Sequence, residues 1–248
     1  GFRSLDSNST GLQNTAIGLE ALSFNKTGYN NTGVAPYSLF KNVSGNNNTA
    51  IGEQALSSNT IANNNVAAGF FALGLNTAGS SNIGIGTHAL HSNSTSSNLV
   101  AVGDSALCNN IGGAVNEGAF NTAIGSKTLY TNTTGGFNTA LGTSSLKASN
   151  GIGNTALGAV AMPFSTTGDF NTAVGLNSIF NNTVGSRNTA AGDQALFYNK
   201  TGSNATAMGY RAMYNANPTT TAFTNYNVAV GYEALKGSST PSNNTGNY

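Results

Sequence analysis

The chain has 248 residues, a net charge of +1 and only 7% charged residues, where ordinary globular domains carry about 25%. That balance leaves no electrostatic footprint for nucleic acid or an anionic membrane surface. The single cysteine, Cys108, excludes an internal disulfide framework, and no apolar run approaches the ~20 residues of a membrane-spanning helix.

Low charge with modest hydrophobicity would ordinarily suggest disorder. Here the polar residues are Asn, Thr, Ser and Gly in fixed register, which points instead to repetitive β-structure, since Asn and Gly suit turns and Thr suits strands. The chain begins on Gly1-Phe2-Arg3-Ser4-Leu5, which reads as the second half of a repeat. An excerpt from a longer protein is therefore expected, with export signals and anchors outside it. The first complete phrase is Asn14-Thr15-Ala16-Ile17-Gly18, followed by Leu19-Glu20-Ala21-Leu22. It returns as Asn121 to Gly125, Asn171 to Gly175 and Asn188 to Gly192.

The closing glycine serves as a ruler. It falls at Gly1, Gly18, Gly52, Gly69, Gly86 and Gly103, with Ala35 in its place once, and then at Gly125, Gly142, Gly158, Gly175, Gly192, Gly209 and Gly231. The first six steps are 17 residues each, and the later ones are 22, 17, 16, 17, 17, 17 and 22. Such a period predicts a solenoid in which each unit stacks on the one before. Seventeen residues are too few for a two-helix repeat and suit two short strands and two turns per coil. The reading is a single all-β domain over 1–248, a parallel β-solenoid of about fourteen coils. At ~4.8 Å per coil it would be a rod on the order of 65 Å long.

Alternation places Thr15 and Ile17 on one face and Ala16 on the other. One large apolar column precedes the ruler: Ile17, Ile51, Ile85, Val102, Ile124, Leu141, Leu157 and Val174. A second lies four residues after it and includes Leu22, Leu56, Leu90, Leu129 and Leu196. Both columns are expected to build the core, with coil turns at Gly18, Gly52, Gly86, Gly125, Gly175 and Gly192. Asn stacked over Asn and Thr over Thr can form hydrogen-bonded ladders, which would keep so polar a chain ordered. The two 22-residue steps predict longer surface loops at 108–120 and 214–226. Pro36 beside Ala35 predicts a local irregularity.

The Asn-Thr-Ala-Ile-Gly-x-x-Ala-Leu phrase with its Asn-x-Thr-Gly spacers resembles the head repeats of YadA-like trimeric autotransporter adhesins, in the variant of bacterial and phage tail-fibre-like surface proteins. The resemblance covers essentially the whole chain. It implies a left-handed parallel β-roll assembled as a homotrimer. It also implies an extracellular place, on a bacterial surface or a virion tail fibre. The chain departs from the family in its 17-residue period, in its Leu column, and in Ala68 and Ala191 where a large residue is expected. Independently, a thin coil has little room for two large columns, so one of them is expected to face a partner chain. The alternative is a single-chain solenoid enclosing both.

Candidate chemistry is sparse. His88 and His91 have no third ligand nearby and read as surface residues rather than a metal site. Glu20, Glu53, Asp104, Asp193 and Glu233 recur just after the ruler, as an outer strip rather than a convergent pair. Gly84-Ile85-Gly86 lacks the helix and the Lys-Ser/Thr of a phosphate loop. No cofactor is implied and no enzyme is expected. Aromatics recur by column at Phe40, Tyr130, Phe180, Phe197 and Tyr214, either as a stacking platform for glycans or, more simply, as covers for coil edges. Asn25, Asn42, Asn93, Asn132, Asn181 and Asn199 head Asn-x-Ser/Thr triplets and are candidate glycan acceptors. The function expected is a non-enzymatic surface fibre segment that attaches to a surface glycan or matrix protein. A purely structural filament or stalk is the alternative, and an ice-binding solenoid a remote one.

Overall fold

Each Thr-Ala-Ile phrase becomes a strand only three residues long, because the glycine after it turns the chain out of the sheet. The computed structural model describes residues 1–112, 117–216 and 220–238, which fall into two compact units, Gly1–Ser126 and Lys127–Tyr248. The first unit holds β1 (Thr15–Ile17), β2 (Thr32–Val34), β3 (Thr49–Ile51), β4 (Val66–Ala68), β5 (Ile83–Ile85), β6 (Val100–Val102) and β7 (Thr122–Ile124). Every strand pairs in parallel with the next, phrase on phrase, as Thr15 with Thr32 and Ile17 with Val34. The second unit holds β8 (Thr139–Leu141), β9 (Thr155–Leu157), β10 (Thr172–Val174), β11 (Thr189–Ala191), β12 (Gly202–Ser203), β13 (Thr206–Met208), β14 (Phe223–Thr224) and β15 (Val228–Val230). There β8-β9-β10-β11-β13-β15 stack in parallel order and β12 pairs with β14. The chain is an all-β parallel solenoid with no helix among the described residues.

Irregular steps leave the register intact. Val100 pairs with Thr122 and Thr206 with Val228 across the 22-residue steps. Thr139 pairs with Thr155 across the 16-residue one. The second of the two expected loops is no simple loop, since its Phe223–Thr224 form β14 against β12. Within these loops, 113–116 and 217–219 lie outside the described residues. So does the chain end from 239 onward.

The second half of each coil differs from expectation. It is a run of turns rather than a strand. The reason is visible in burial: Ala21 and Leu22 are adjacent and both at 0% exposure, whereas a pleated strand sends neighbours to opposite faces. The backbone turns both inward by alternating into the left-handed region, at φ 52° for Glu20 and 52° for Leu22. Their N–H groups then point to opposite neighbours, Glu20 donating to Phe2 in the coil before at 2.8 Å and Leu22 to Ser38 in the coil after at 3.0 Å. Left-handed backbone costs a non-glycine residue roughly 1–2 kcal/mol. Burying a leucine side chain returns about 1.5–3 kcal/mol, so the Leu column offsets the strain at its own position.

The interior is filled by Ala from the strands, the Ala-Leu pair from the turn run, and two columns of asparagine. Asn25, Asn42, Asn59, Asn76 and Asn93 are all at 0% exposure. Each donates Nδ2 to Oδ1 of the asparagine one coil earlier, at 2.7 Å for Asn42 to Asn25 and for Asn59 to Asn42. The second column, Asn14, Asn31, Asn48, Asn65 and Asn82, stands just before the strands. Asn48 donates both its backbone N–H and its Nδ2 to Asn31 Oδ1, at 3.0 and 3.1 Å. The two columns converge on one carbonyl: Gly45 O accepts Asn42 of its own coil at 3.0 Å and Asn31 of the previous coil at 2.8 Å. The expected Asn ladders are therefore present. Threonine behaves differently, since spacer residues such as Thr60 and Thr77 donate Oγ1 to backbone carbonyls one coil on, each at 3.1 Å.

The ruler glycines Gly18, Gly52, Gly86, Gly125, Gly175 and Gly192 hold φ between 119° and 139°, a region essentially closed to other residues. At Gly52 a side chain would also meet the Gly69 carbonyl oxygen at 2.5 Å. Ala35 nevertheless occupies the same conformation, at φ 114°. Pro36 causes no break, because the N–H groups of Leu19 and Glu53, its equivalents in the adjacent coils, donate to no backbone carbonyl either. Strain at Ala35 should be relieved by Ala35→Gly. A strained residue of this kind costs about 1–3 kcal/mol and the added chain entropy takes back part of that, so a net gain of about 1 kcal/mol is expected in chemical denaturation. A lower midpoint would show that the methyl group is accommodated without strain.

Candidate functional site

The strands present a single outward face. Their middle residues, Ala50, Ala101, Ala123, Ala140 and Ala173, are wholly buried, while the residues on either side point outward. This corrects the expectation that both large columns form the core. Leu22, Leu56, Leu90, Leu129 and Leu196 are at 0% exposure, whereas Ile17 is 58% exposed, Ile51 50%, Leu141 47%, Ile85 41%, Ile124 39% and Val174 38%. Val102 and Leu157 are half-buried in the same column. The small residue lines the interior because stacked turns leave room there for Ala but not Ile beside the buried leucines. In each unit, then, a column of β-branched and aliphatic side chains runs in register beside a column of mostly Thr. Val66, Ile83, Val100 and Val228 replace the Thr in four strands.

The candidate glycan acceptors are likewise corrected. Asn25, Asn42, Asn93, Asn132 and Asn199 are at 0% exposure and Asn181 is half-buried. Asn25, Asn42, Asn93 and Asn199 donate Nδ2 to the carbonyl three residues on, as Asn199 does to Gly202 at 2.9 Å. The nitrogen that would carry a sugar is the one that holds the coil together. The Asn-x-Thr-Gly spacing is thus a turn device: the amide reaches the Gly carbonyl at i+3. That signal was readable in the sequence as Asn-x-x-Gly, which recurs where the Ser/Thr varies.

His88 and His91 sit 5.3 Å apart, ring to ring, within an aromatic cluster in which Phe71 stacks on His88 at 5.9 Å and 7°. No group of three His, Cys, Asp or Glu side chains able to hold a metal exists among the described residues. The carboxylates do not converge: Arg3 reaches Glu20 at 3.9 Å, and Lys236 reaches Glu233 at 2.7 Å. The aromatic columns stack, as the simpler reading expected, with Phe180 on Phe197 at 4.8 Å and 4° and Phe197 on Tyr214 at 5.2 Å. The thiol of Cys108 is half-buried and pushed upward, first by burial and then by Asp104. No helix of the described residues is long and apolar enough to cross a membrane.

Compared with known proteins, the chain matches no family model, and no curated protein matches it.

Asn59 tests the internal bracing. Asn59→Ala would remove three bonds and orphan the Asn42 Oδ1, while the Ala62 carbonyl would keep its bond from Asn48. One orphaned buried group costs about 1–3 kcal/mol, so a loss of roughly 2 kcal/mol in urea unfolding is expected. A loss below about 0.5 kcal/mol would mean that water replaces the amide.

His91 gives a pH signature. Burial, and then the neighbouring His88, lower its pKa below the ordinary 6.5. The folded state therefore binds fewer protons than the unfolded one in this range. The stability involved is full above about pH 6.5 and is lost as pH falls toward the lower folded value. The melting temperature should fall between about pH 7.5 and pH 5, and His91→Gln should flatten part of that slope. An unchanged slope would assign the pH dependence to other groups.

Proposed function

We propose that the chain is a non-enzymatic segment of an extracellular surface fibre, structural or adhesive, whose subunits join as a homotrimer along the Thr-Ala-Ile face. One observation carries this reading. The strand face exposes a column of large apolar side chains in register, with Ile17 58% and Ile51 50% exposed, although the same coils bury every central leucine. Contiguous exposed apolar surface of this kind marks interaction sites. A second copy with the same column is a fitting partner, because symmetric assemblies use one self-complementary patch repeatedly. The phrase itself supports this, through its resemblance to the head repeats of YadA-like adhesins, whose β-roll is left-handed and trimeric. Attachment would come from many weak repeated contacts on the remaining outer turns. A bacterial surface or a virion tail fibre is the place such a segment would serve.

A second reading draws on the same face. Thr and Ile standing outward in register make a regular, low-charge array, as an ice-binding surface requires. Thermal hysteresis in dilute solution would favour it, and none is expected.

The decisive measurement is the solution mass by light scattering, expected at three times the 25.0 kDa chain. Ile124→Asp should reduce it to the single-chain value while costing the isolated coil within about 0.5 kcal/mol, as exposed substitutions do. Leu129→Ala should do the reverse, lowering stability by about 2–5 kcal/mol through a buried cavity. A monomeric wild-type mass would overturn the trimer.

A further inference from the structure

Every coil of the solenoid offers the same outer positions two and five residues after the ruler, and what fills them differs between the units. In the second unit three successive coils carry a ring at the +5 position, Phe180, Phe197 and Tyr214, and the rings close on each other, whereas the two coils before them carry Lys147 and Pro163. In the first unit Phe40 at this position is followed one and two coils on by Ser57 and Gly74. Tyr37 and Phe40 stand on one coil, meeting edge to face at 5.7 Å. Two coils on stands Phe71, flat against His88 on its far side. The coil between them carries Gln54 and Ser57 at the equivalent positions. The missing rings leave a groove of about 290 Å³ between Tyr37 and Phe40 on one side and Phe71 and Leu75 on the other.

The dimensions are set by the stack. Two coils at ~4.8 Å each put the aromatic walls about 10 Å apart. A ring set midway lies roughly 5 Å from each wall, a gap that suits a puckered ring whose C–H bonds point at both walls. Phe71, stacked on His88 and met edge to face by Phe70, lines the groove together with Gln54. The floor is polar and unengaged: among the described residues the Gln54 carboxamide makes no hydrogen bond, and Lys41 at the rim makes no ion pair. Ser57 is committed, donating Oγ to Gly74 O at 3.1 Å, but keeps its acceptor lone pairs. Apolar walls with a few convergent polar groups are the usual make-up of a small-ligand site.

We propose that this groove is a carbohydrate subsite, taking one pyranose ring of a surface glycan between Tyr37/Phe40 and Phe71, with Gln54 and Lys41 on its hydroxyls. A pyranose matches both features, since its C–H faces lie against aromatic rings while its equatorial hydroxyls reach sideways to amide and ammonium groups. The volume suits a ring or two rather than a long extended peptide. The proposal deepens the adhesive reading and rests on it, by naming the class of surface that this segment would grip.

The test fills the gap with the residue type its neighbours already carry. Gln54 has φ 58°, as Tyr37 has 57° and Phe71 54°, so Gln54→Phe is compatible with the backbone and completes the aromatic stack. The unmodified chain and this variant would be titrated with cellohexaose, maltohexaose and hexagalacturonate by saturation-transfer NMR. A proline-rich decapeptide serves as the competing probe, and melting curves are recorded alongside. Binding of at least one oligosaccharide is expected, falling tenfold or more in both Gln54→Phe and Phe71→Ala, with the melting temperature of Gln54→Phe unchanged or raised. The proposal is overturned if no oligosaccharide binds at millimolar concentration, if Gln54→Phe binds as well as the parent, or if only the peptide binds. Adhesion of the same proteins to intact cells separates the two readings: a chain that adheres but binds no sugar loses this site and keeps its adhesive role.

Discussion

The constraint on which the structure depends is that a buried carbonyl at the coil corner must be shared between two coils. Gly45 O, Ala62 O, Gly79 O and Ser96 O each receive one amide from their own coil and one from the coil before. A polar group in a low-dielectric interior is costly unless bonded. Here each satisfied carbonyl ties one coil to the next. The asparagine columns are thus the transverse bracing of a stack whose strands, at three residues, are too short to hold register alone. Removing water from these amides is affordable because the geometry repeats, so that from Asn25 to Asn93 each donor finds the same acceptor one coil away, whereas the buried Asn182 Oδ1 has no partner among the described residues.

This bracing also explains the composition. A solenoid stapled by buried amides needs few charges and only a narrow apolar core, so 7% charged residues suffice. The core reduces to Ala on the strand and Ala-Leu on the turn run. Everything larger on the strand is forced outward, which is how Ile comes to stand in water beside Thr. That exposed column is the consequence of a small interior, and it is also the surface from which a multimeric fibre would be built.

The outer turns are free of these demands. Their side chains contribute little to coil closure, so their identity can vary from coil to coil. In the second unit, at Phe180, Phe197 and Tyr214, aromatics of the turn column stack on one another. In the first, Gln54 and Ser57 interrupt it and leave a groove with aromatic walls. Local variation on a constant scaffold is the general route by which repeat architectures acquire specific surfaces.

The 17-residue ruler, the parallel stacking, the Asn ladders and the burial of the Leu column all followed from the sequence, because each is a matter of period and side-chain chemistry. Three features needed the folded chain. The turn run after the ruler reads like a strand until one sees Ala21 and Leu22 both facing inward on left-handed backbone, an arrangement no alternation rule encodes. The Ile column reads like core until the interior is found to hold only alanine or, at Gly33 and Gly84, glycine at the strand. The Asn-x-Thr triplets read like glycan acceptors until their amides are seen locked on carbonyls three residues away. Period alone decides that coils stack. Which side of a three-residue strand faces the interior, and how a polar atom is satisfied, depend on the space left by neighbouring coils, and that space exists only in the tertiary structure.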